Sequence, residues 1–140
     1  MRNISLVIVT LFLISCNSNI EKRVVSSYPN GTPLKIVHVE LQNNKEIIVK
    51  ETRFYPNGEK SEEGGLNEAG KKHGVWTQWF ANGEKWIEET YEDGMRTGEF
   101  TVWKENGLKE YEGSYKQDQP SGKWIFYDKK GNKDKVTNYN

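Results

Sequence analysis

Gly74-Val-Trp76-Thr-Gln-Trp79 returns 24 residues later as Gly98-Glu-Phe100-Thr-Val-Trp103, and again as Gly122-Lys-Trp124-Ile-Phe-Tyr127. Nine residues after each leading glycine comes another, at Gly83, Gly107 and Gly131. The glycines and both aromatic positions keep step while the residues between them drift. Self-similarity at a fixed period marks a repeat architecture, in which each unit buries its apolar face only by packing on its neighbours. The array reaches further upstream. Phe54-Tyr-Pro-Asn57-Gly58 matches Trp79-Phe-Ala-Asn82-Gly83 at a step of 25, the extra residue falling in Leu66-Asn-Glu-Ala-Gly70. Tyr28-Pro-Asn30-Gly31 lies another 27 residues back. The first and last copies are incomplete, as expected of capping ends.

Within a unit the residues read as β-structure. Val75-Trp-Thr-Gln-Trp-Phe80 and Lys85-Trp-Ile-Glu-Glu-Thr-Tyr91 are short runs of aromatic and β-branched residues separated by Asn82-Gly83, a hairpin signal that points to a type I′ turn. Glycines bracket the return loop, Glu92-Asp-Gly94-Met-Arg-Thr-Gly98. The expected fold is all-β: an elongated antiparallel meander with two strands per repeat of about 24 residues. A two-residue turn sets Ala81 opposite Glu84 and Trp79 opposite Trp86, and the same rule sets Phe100 opposite Gly113, where a ring can cover bare backbone. One face then carries the core aromatics Trp76, Phe100, Trp124, Tyr91 and Tyr115. The other carries Trp79, Trp103 and Tyr127 as a ladder stepping about 10 Å, two strand spacings. This ladder reads either as a second apolar strip covered by Lys and Glu stems, or as candidate binding residues that dock a protein or stack on sugar rings. Gly58, Gly74, Gly83, Gly98, Gly107, Gly122 and Gly131 are the structural turn positions.

The start of the chain is different in kind. Arg2 precedes an apolar run from Ile4 to Ile14 that is too short to span a bilayer and has the form of a secretory signal. It ends in Leu13-Ile-Ser15-Cys16, which resembles the lipobox of bacterial lipoproteins, where a small residue precedes the cysteine that is lipidated. The expected division is a signal peptide over 1–15, an anchor and linker over 16–27, and the repeat domain over 28–140. Cys16 is the sole cysteine, so no disulfide can form within the chain. The expected partner of this end is a membrane, through lipidated Cys16. Asn17 lacks the acidic residue that retains some lipoproteins in the inner membrane, and Asn17-Ser-Asn-Ile-Glu-Lys-Arg23 lacks the acidic cluster of a surface-export signal. The expected location is the outer membrane, facing the periplasm.

Composition narrows the function classes. The chain carries 20 basic and 20 acidic residues, which argues against nucleic acid as a partner. Five tryptophans argue against disorder. His38 lies in an alternating strand run and His73 before Gly74; neither has a His or Cys at metal-ligand spacing, so no metal or cofactor is expected. The pairs Glu62-Glu63 and Glu88-Glu89 resemble a glycosidase dyad in composition only, because adjacent strand residues point to opposite faces; they read as solvated strand charges. No nucleophile elbow or phosphate-binding loop is present, and an enzyme is not expected.

The pattern carried by Phe54-Tyr-Pro-Asn-Gly-Glu-Lys, Lys71-Lys-His-Gly74-Val-Trp76, Tyr91-Glu-Asp-Gly-Met-Arg-Thr-Gly98-Glu-Phe100 and Tyr115-Lys-Gln-Asp-Gln-Pro-Ser-Gly122-Lys-Trp124 resembles the variant MORN repeat of bacteria. Proteins of this kind are often grouped as the YwqK family and labelled antitoxin components of toxin–antitoxin systems. The resemblance implies a repetitive antiparallel sheet with a protein-binding role, antitoxin-like or scaffolding, and supplies no catalytic residues. A lipid anchor departs from a cytoplasmic antitoxin. Binding of a glycan or cell-wall polymer along Trp79, Trp103 and Tyr127 is the alternative. For the anchor, Cys16→Ser should abolish metabolic labelling by palmitate and release the protein from membranes; persistent labelling and membrane retention would exclude lipidation at Cys16.

Overall fold

The computed structural model describes residues 20–140. Cys16 and the 1–15 segment lie outside the described residues. Ten strands form one sheet in strict sequence order: β1 (Glu21–Ser27), β2 (Pro33–Gln42), β3 (Lys45–Phe54), β4 (Lys60–Leu66), β5 (Lys72–Trp79), β6 (Lys85–Glu92), β7 (Met95–Trp103), β8 (Lys109–Lys116), β9 (Gln119–Tyr127) and β10 (Lys133–Tyr139). Every neighbouring pair is antiparallel. The meander is therefore as the repeats imply. It starts earlier than the linker boundary suggests, since β1 occupies Glu21–Ser27 and pairs fully with β2.

The turns at one end of the sheet repeat a single hydrogen-bonded design. At Tyr28, Tyr55, Phe80, Lys104 and Asp128 the N–H donates to the carbonyl four residues on, and the carbonyl accepts from the glycine three residues on. Asn30, Asn57, Asn82 and Asn106 each accept, through Oδ1, the N–H two residues ahead. Gly83 has φ of 87°, while Asn82 is not among the residues with positive φ. This corrects the type I′ expectation: each turn is a three-residue loop, a type I turn closed by a glycine in the left-handed region. Two-residue turns with positive φ at both positions occur at the opposite end, at Asn43-Asn44, Asp93-Gly94 and Gln117-Asp118.

The wider loop moves the register beside it. Thr77 faces Glu88 and Trp76 faces Glu89, as the turn position implies, but Trp79 faces Lys85 rather than Trp86. Trp86 is an extra residue, and its ring lies 5.5 Å from Phe80. The same irregularity recurs at the start of β2, β4, β8 and β10. An extra residue on one strand bends it and resets which side chains share a face. A second set of bulges sits at Gly74, Gly98 and Gly122, all with positive φ in mid-strand.

Stacked turns tie adjacent units together. Tyr28 and Tyr55 donate their hydroxyls to the carbonyls of Phe54 and Trp79, at 2.9 and 2.8 Å. Asn30 and Asn57 donate to the carbonyls of Pro56 and Ala81, and Lys104 donates to that of Asp128. These bonds bridge steps of 24–26 residues, so the period itself is held by hydrogen bonds.

Burial concentrates on one face, here the ring face. Trp76, Phe100 and Trp124 are the buried row, with Val102 beside them and Val37 and Val39 toward the first strands. Tyr111, Tyr115, Ile87 and Phe126 pack around Phe100 and Trp124. No second layer among the described residues supplies this burial; the rings lie across the sheet's own backbone. A Cβ on Gly64 would stand 2.2 Å from the Trp76 ring, and one on Gly113 would stand 2.3 Å from that of Trp124. The indole Nε1 of each donates to the carbonyl of the residue after that glycine, Gly65 at 2.9 Å and Ser114 at 3.2 Å. Phe100 does pair with Gly113, but the ring that covers Gly113 is Trp124, reaching back from the following strand. Phe100 itself faces Glu89, a residue with a full side chain. The larger indole requires glycine beneath it; the smaller phenyl does not.

Gly64→Ala should therefore cost about 1–3 kcal/mol by overpacking, whereas Gly70→Ala, with open space around it, should cost about 1–2 kcal/mol from its positive φ alone, a loss that no change at Trp76 relieves. Gly64→Ala/Trp76→Phe should recover part of the loss. In denaturant melts, a Gly64→Ala loss that Trp76→Phe does not relieve would contradict the ring-on-glycine contact.

Candidate functional site

The expected core aromatics all fall on the ring face and are covered by their neighbours. Tyr91 meets Trp76 edge-on at 6.4 Å, and the Lys72 ammonium sits 4.0 Å over the same indole. Tyr115 meets both Phe100 and Trp124 edge-on, at 5.2 and 5.3 Å, and Tyr139 closes over Trp124 at 5.9 Å. Edge-to-face contacts of this kind add to burial because the ring quadrupoles align. The charges are equally committed. Glu89, only 7% exposed, accepts the Tyr91 hydroxyl at 2.9 Å; burial and this carboxylate push the Tyr91 phenol well above its ordinary range. Glu51, also buried, is held by Lys35 and Arg53. Glu89 is thus a packed residue and not the solvated strand charge its sequence neighbours suggest.

The opposite face carries Trp79, Trp103 and Tyr127, and here the repeated bulge matters. Lys60–Glu63, Lys85–Glu88 and Lys109–Glu112 are ion pairs three residues apart on β4, β6 and β8, the first two at 3.0 and 2.6 Å. In a regular strand, residues three apart point to opposite faces. The extra residues Ser61, Trp86 and Glu110 reverse this and bring each lysine onto its glutamate's face. Trp79, Trp103 and Tyr127 then pair with Lys85, Lys109 and Lys133. The ammonium groups of Lys60 and Lys85 also sit 5.6 and 5.5 Å over the rings of Trp79 and Trp103.

The result is a ladder face of alternating aromatic and lysine side chains, flanked by a row in which Thr52, Thr77 and Thr101 alternate with Glu63, Glu88 and Glu112. The three aromatics are half-buried, not freely exposed. Tyr127 donates its hydroxyl to Glu112, which with burial pushes its phenol up to about 12. Hydrogen bonds from Lys109 and Tyr127 hold the Glu112 carboxyl below its ordinary range. At Glu63 burial opposes ionisation, but hydrogen bonds from Lys50, Lys60 and Thr52 outweigh it and the net shift is downward. An open groove of about 570 Å³ runs across β6 to β9, with Glu88, Trp103, Lys109, Glu112 and Ile125 among its walls.

The lattice offers hydrogen-bond partners and rings at each repeat, and every carboxylate named on it is engaged by a cation or hydroxyl. The Thr52 hydroxyl donates to Glu63 at 3.0 Å, a carboxylate that Lys50 and Lys60 also engage. The aromatic ladder was legible from the 24-residue step; the lysine–glutamate pairs were not. Their signal is present as Lys60-Ser-Glu-Glu63, Lys85-Trp-Ile-Glu88 and Lys109-Glu-Tyr-Glu112, but simple alternation assigns the two charges to opposite faces.

Residues 72–93 match the family model described as MORN repeat variant. The matched stretch is β5, its turn and β6, a single hairpin unit that contains Gly74, Trp76, Trp79 and Gly83. Among curated proteins none matches the chain.

Two measurements follow. Phe100→Ala should destabilise by about 3–5 kcal/mol, and Trp103→Ala, half-buried under Lys85, by clearly less; equal losses in thermal melts would make both faces core. The lowered carboxyl pKa values stabilise the fold above the unfolded value of 4.5, and that stability is lost as pH falls through the folded values. Melting temperature should therefore drop below about pH 4.5, and Glu112→Gln should flatten the drop.

Proposed function

We propose that this chain is a non-catalytic repeat scaffold, anchored in the bacterial envelope through lipidated Cys16, that binds a partner protein along the ladder face. One observation carries the reading: the two faces are used differently. The ring face spends its aromatics and charges on covering itself, and its row of Trp76, Phe100 and Trp124 is buried. The ladder face repeats a half-buried aromatic with lysine, glutamate and threonine around Trp79 and Trp103, while at Tyr127 Ile125 and Val136 take the threonine and glutamate positions; its rings are not part of the buried row.

The chemistry of the lattice favours a protein over a sugar. Flat stacking on a sugar ring needs an open aromatic face, whereas Lys60 and Lys85 already lie over Trp79 and Trp103. A surface of paired charges around partly covered rings complements a protein patch of mixed charge, where aromatic anchors ringed by polar groups carry most of the energy. In this reading the antitoxin-like role of the YwqK group is one form of the same activity, with a toxin or secreted effector as partner, and an outer-membrane anchor facing the periplasm places the sheet among exported proteins.

Full-length protein immobilised in neutral detergent should retain a defined envelope protein that Trp103→Ala and Lys85→Glu lose, while the charge change Lys129→Glu, at an exposed turn position, retains it. Retention that is equal for all variants would remove the ladder face as the docking site. Binding to purified peptidoglycan or exopolysaccharide with quenching of tryptophan fluorescence, and no protein retained, would replace this reading with the glycan one.

A further inference from the structure

The ladder face is not uniform along the sheet. In later units the row next to the Thr–Glu row pairs Val75 with Thr90 and Glu99 with Ser114. In the first strands the same row is basic: Lys22 faces His38, and His38 faces Lys50. These three side chains, with Lys60 and Glu63 of β4, line an open concavity of about 240 Å³ whose remaining wall is Ile36, Thr52 and Phe54.

The charge count at this place differs from that in the rest of the ladder. Lys85 and Lys109 each have their own glutamate. Here three lysines converge on one carboxylate. Glu63 is already saturated by Lys50 and Lys60, each at 3.0 Å, and by the Thr52 hydroxyl at 3.0 Å. Lys22 has no ion pair among the described residues. Glu40, the other acidic residue alternating onto this side of β2, accepts the Gln42 amide and keeps its charge, which leaves three lysines against two carboxylates. In a chain with no net charge, this is a local excess of cations around an imidazole.

We propose that Lys22, His38, Lys50 and Lys60 form a binding site for a phosphate group, supplied either by a free small molecule or by a lipid headgroup. Lysine ammonium groups serve phosphate as point charges that need no fixed fork geometry. The concavity is wide enough for a phosphomonoester. His38 adds a ring N–H donor when neutral and two when protonated. Burial, then Lys50 and Lys22, hold its pKa below the ordinary value. A bound phosphate reverses the local sign, so phosphate binding and proton uptake by His38 reinforce each other. The site shares Lys60 with the ladder described above, where its ammonium lies over Trp79, but Lys22, His38 and Lys50 lie outside the row of Trp79, Trp103 and Tyr127, so variants at these positions test it separately from protein docking.

The chain has two histidines, which makes the test direct. His73 lies in the next unit, largely exposed and 3.7 Å from Asp93, and serves as the internal control. The imidazole NMR signals of the full chain in neutral detergent are followed from pH 5 to 8 in chloride, in inorganic phosphate at matched ionic strength, and with phosphatidylglycerol added to the micelles. The titration midpoint of His38 should rise while that of His73 stays put. A rise with inorganic phosphate assigns a free ligand, and a rise with phosphatidylglycerol alone assigns a headgroup. Lys22→Gln, which leaves the Glu63 pairs intact, should weaken binding about tenfold, the loss of one charge-assisted contact, without lowering the melting temperature. No His38 movement in either arm, or undiminished binding by Lys22→Gln, overturns the proposal.

Discussion

An indole lying flat on a glycine is the contact from which the rest of this sheet follows. A single-layer sheet has no opposing layer to bury its side chains, and hydrophobic stabilisation scales with the apolar area taken from water. The chain solves this within the layer. Trp76 and Trp124 fall onto the bare backbone of Gly64 and Gly113, donate their N–H groups to the adjoining carbonyls, and are roofed by Tyr91, Tyr115, Tyr139 and Lys72. That arrangement needs a large ring, a glycine one strand back, and a tyrosine one strand on. Any two without the third leave a cavity or a clash.

The way this requirement is met changes along the array. The position filled by Gly64, Glu89 and Gly113 becomes Thr137 in β10, where it pairs with Trp124. A following strand could not lay an indole flat on a threonine, and Tyr139 folds back onto Trp124 instead. At the other end the position of Trp76 is taken by Glu51 in β3, fixed by Lys35 and Arg53. The ring-based core therefore gives way to ion pairs toward the first strands.

Bulges convert this packing scheme into a functional surface. Placing one extra residue at the start of β4, β6 and β8 brings lysine and glutamate three apart onto one face, next to the aromatic of the neighbouring strand. The ring face and the ladder face thereby become chemically separate, one apolar and self-covering, the other a repeated charged and aromatic lattice. Toward β1 the lattice changes composition while the geometry stays the same, and the basic cluster around His38 results. A repeat fold can vary its surface unit by unit in this way without disturbing the core, since the two sets of residues do not share a face.

The sequence by itself determined the period, the strand class, the meander order, the register through the middle of each hairpin, and the membership of both aromatic rows. These follow from local rules: alternation in strands, glycine at turns, and the arithmetic of a fixed step. It also placed Phe100 opposite Gly113. What it left undecided depends on contacts across strands. The turn at Asn82-Gly83 is longer than its dipeptide suggests because the Asn82 side chain caps the loop instead of entering the left-handed region. That lengthening moves Trp86 beside Phe80 and turns Lys85 toward Glu88 and Trp103. The burial of Glu89 and the meeting of Lys22, His38 and Lys50 belong to the same class, since neither lies in any short window of sequence. Only the tertiary structure decided them, because a bulge is a property of two paired strands and cannot be read from either one alone.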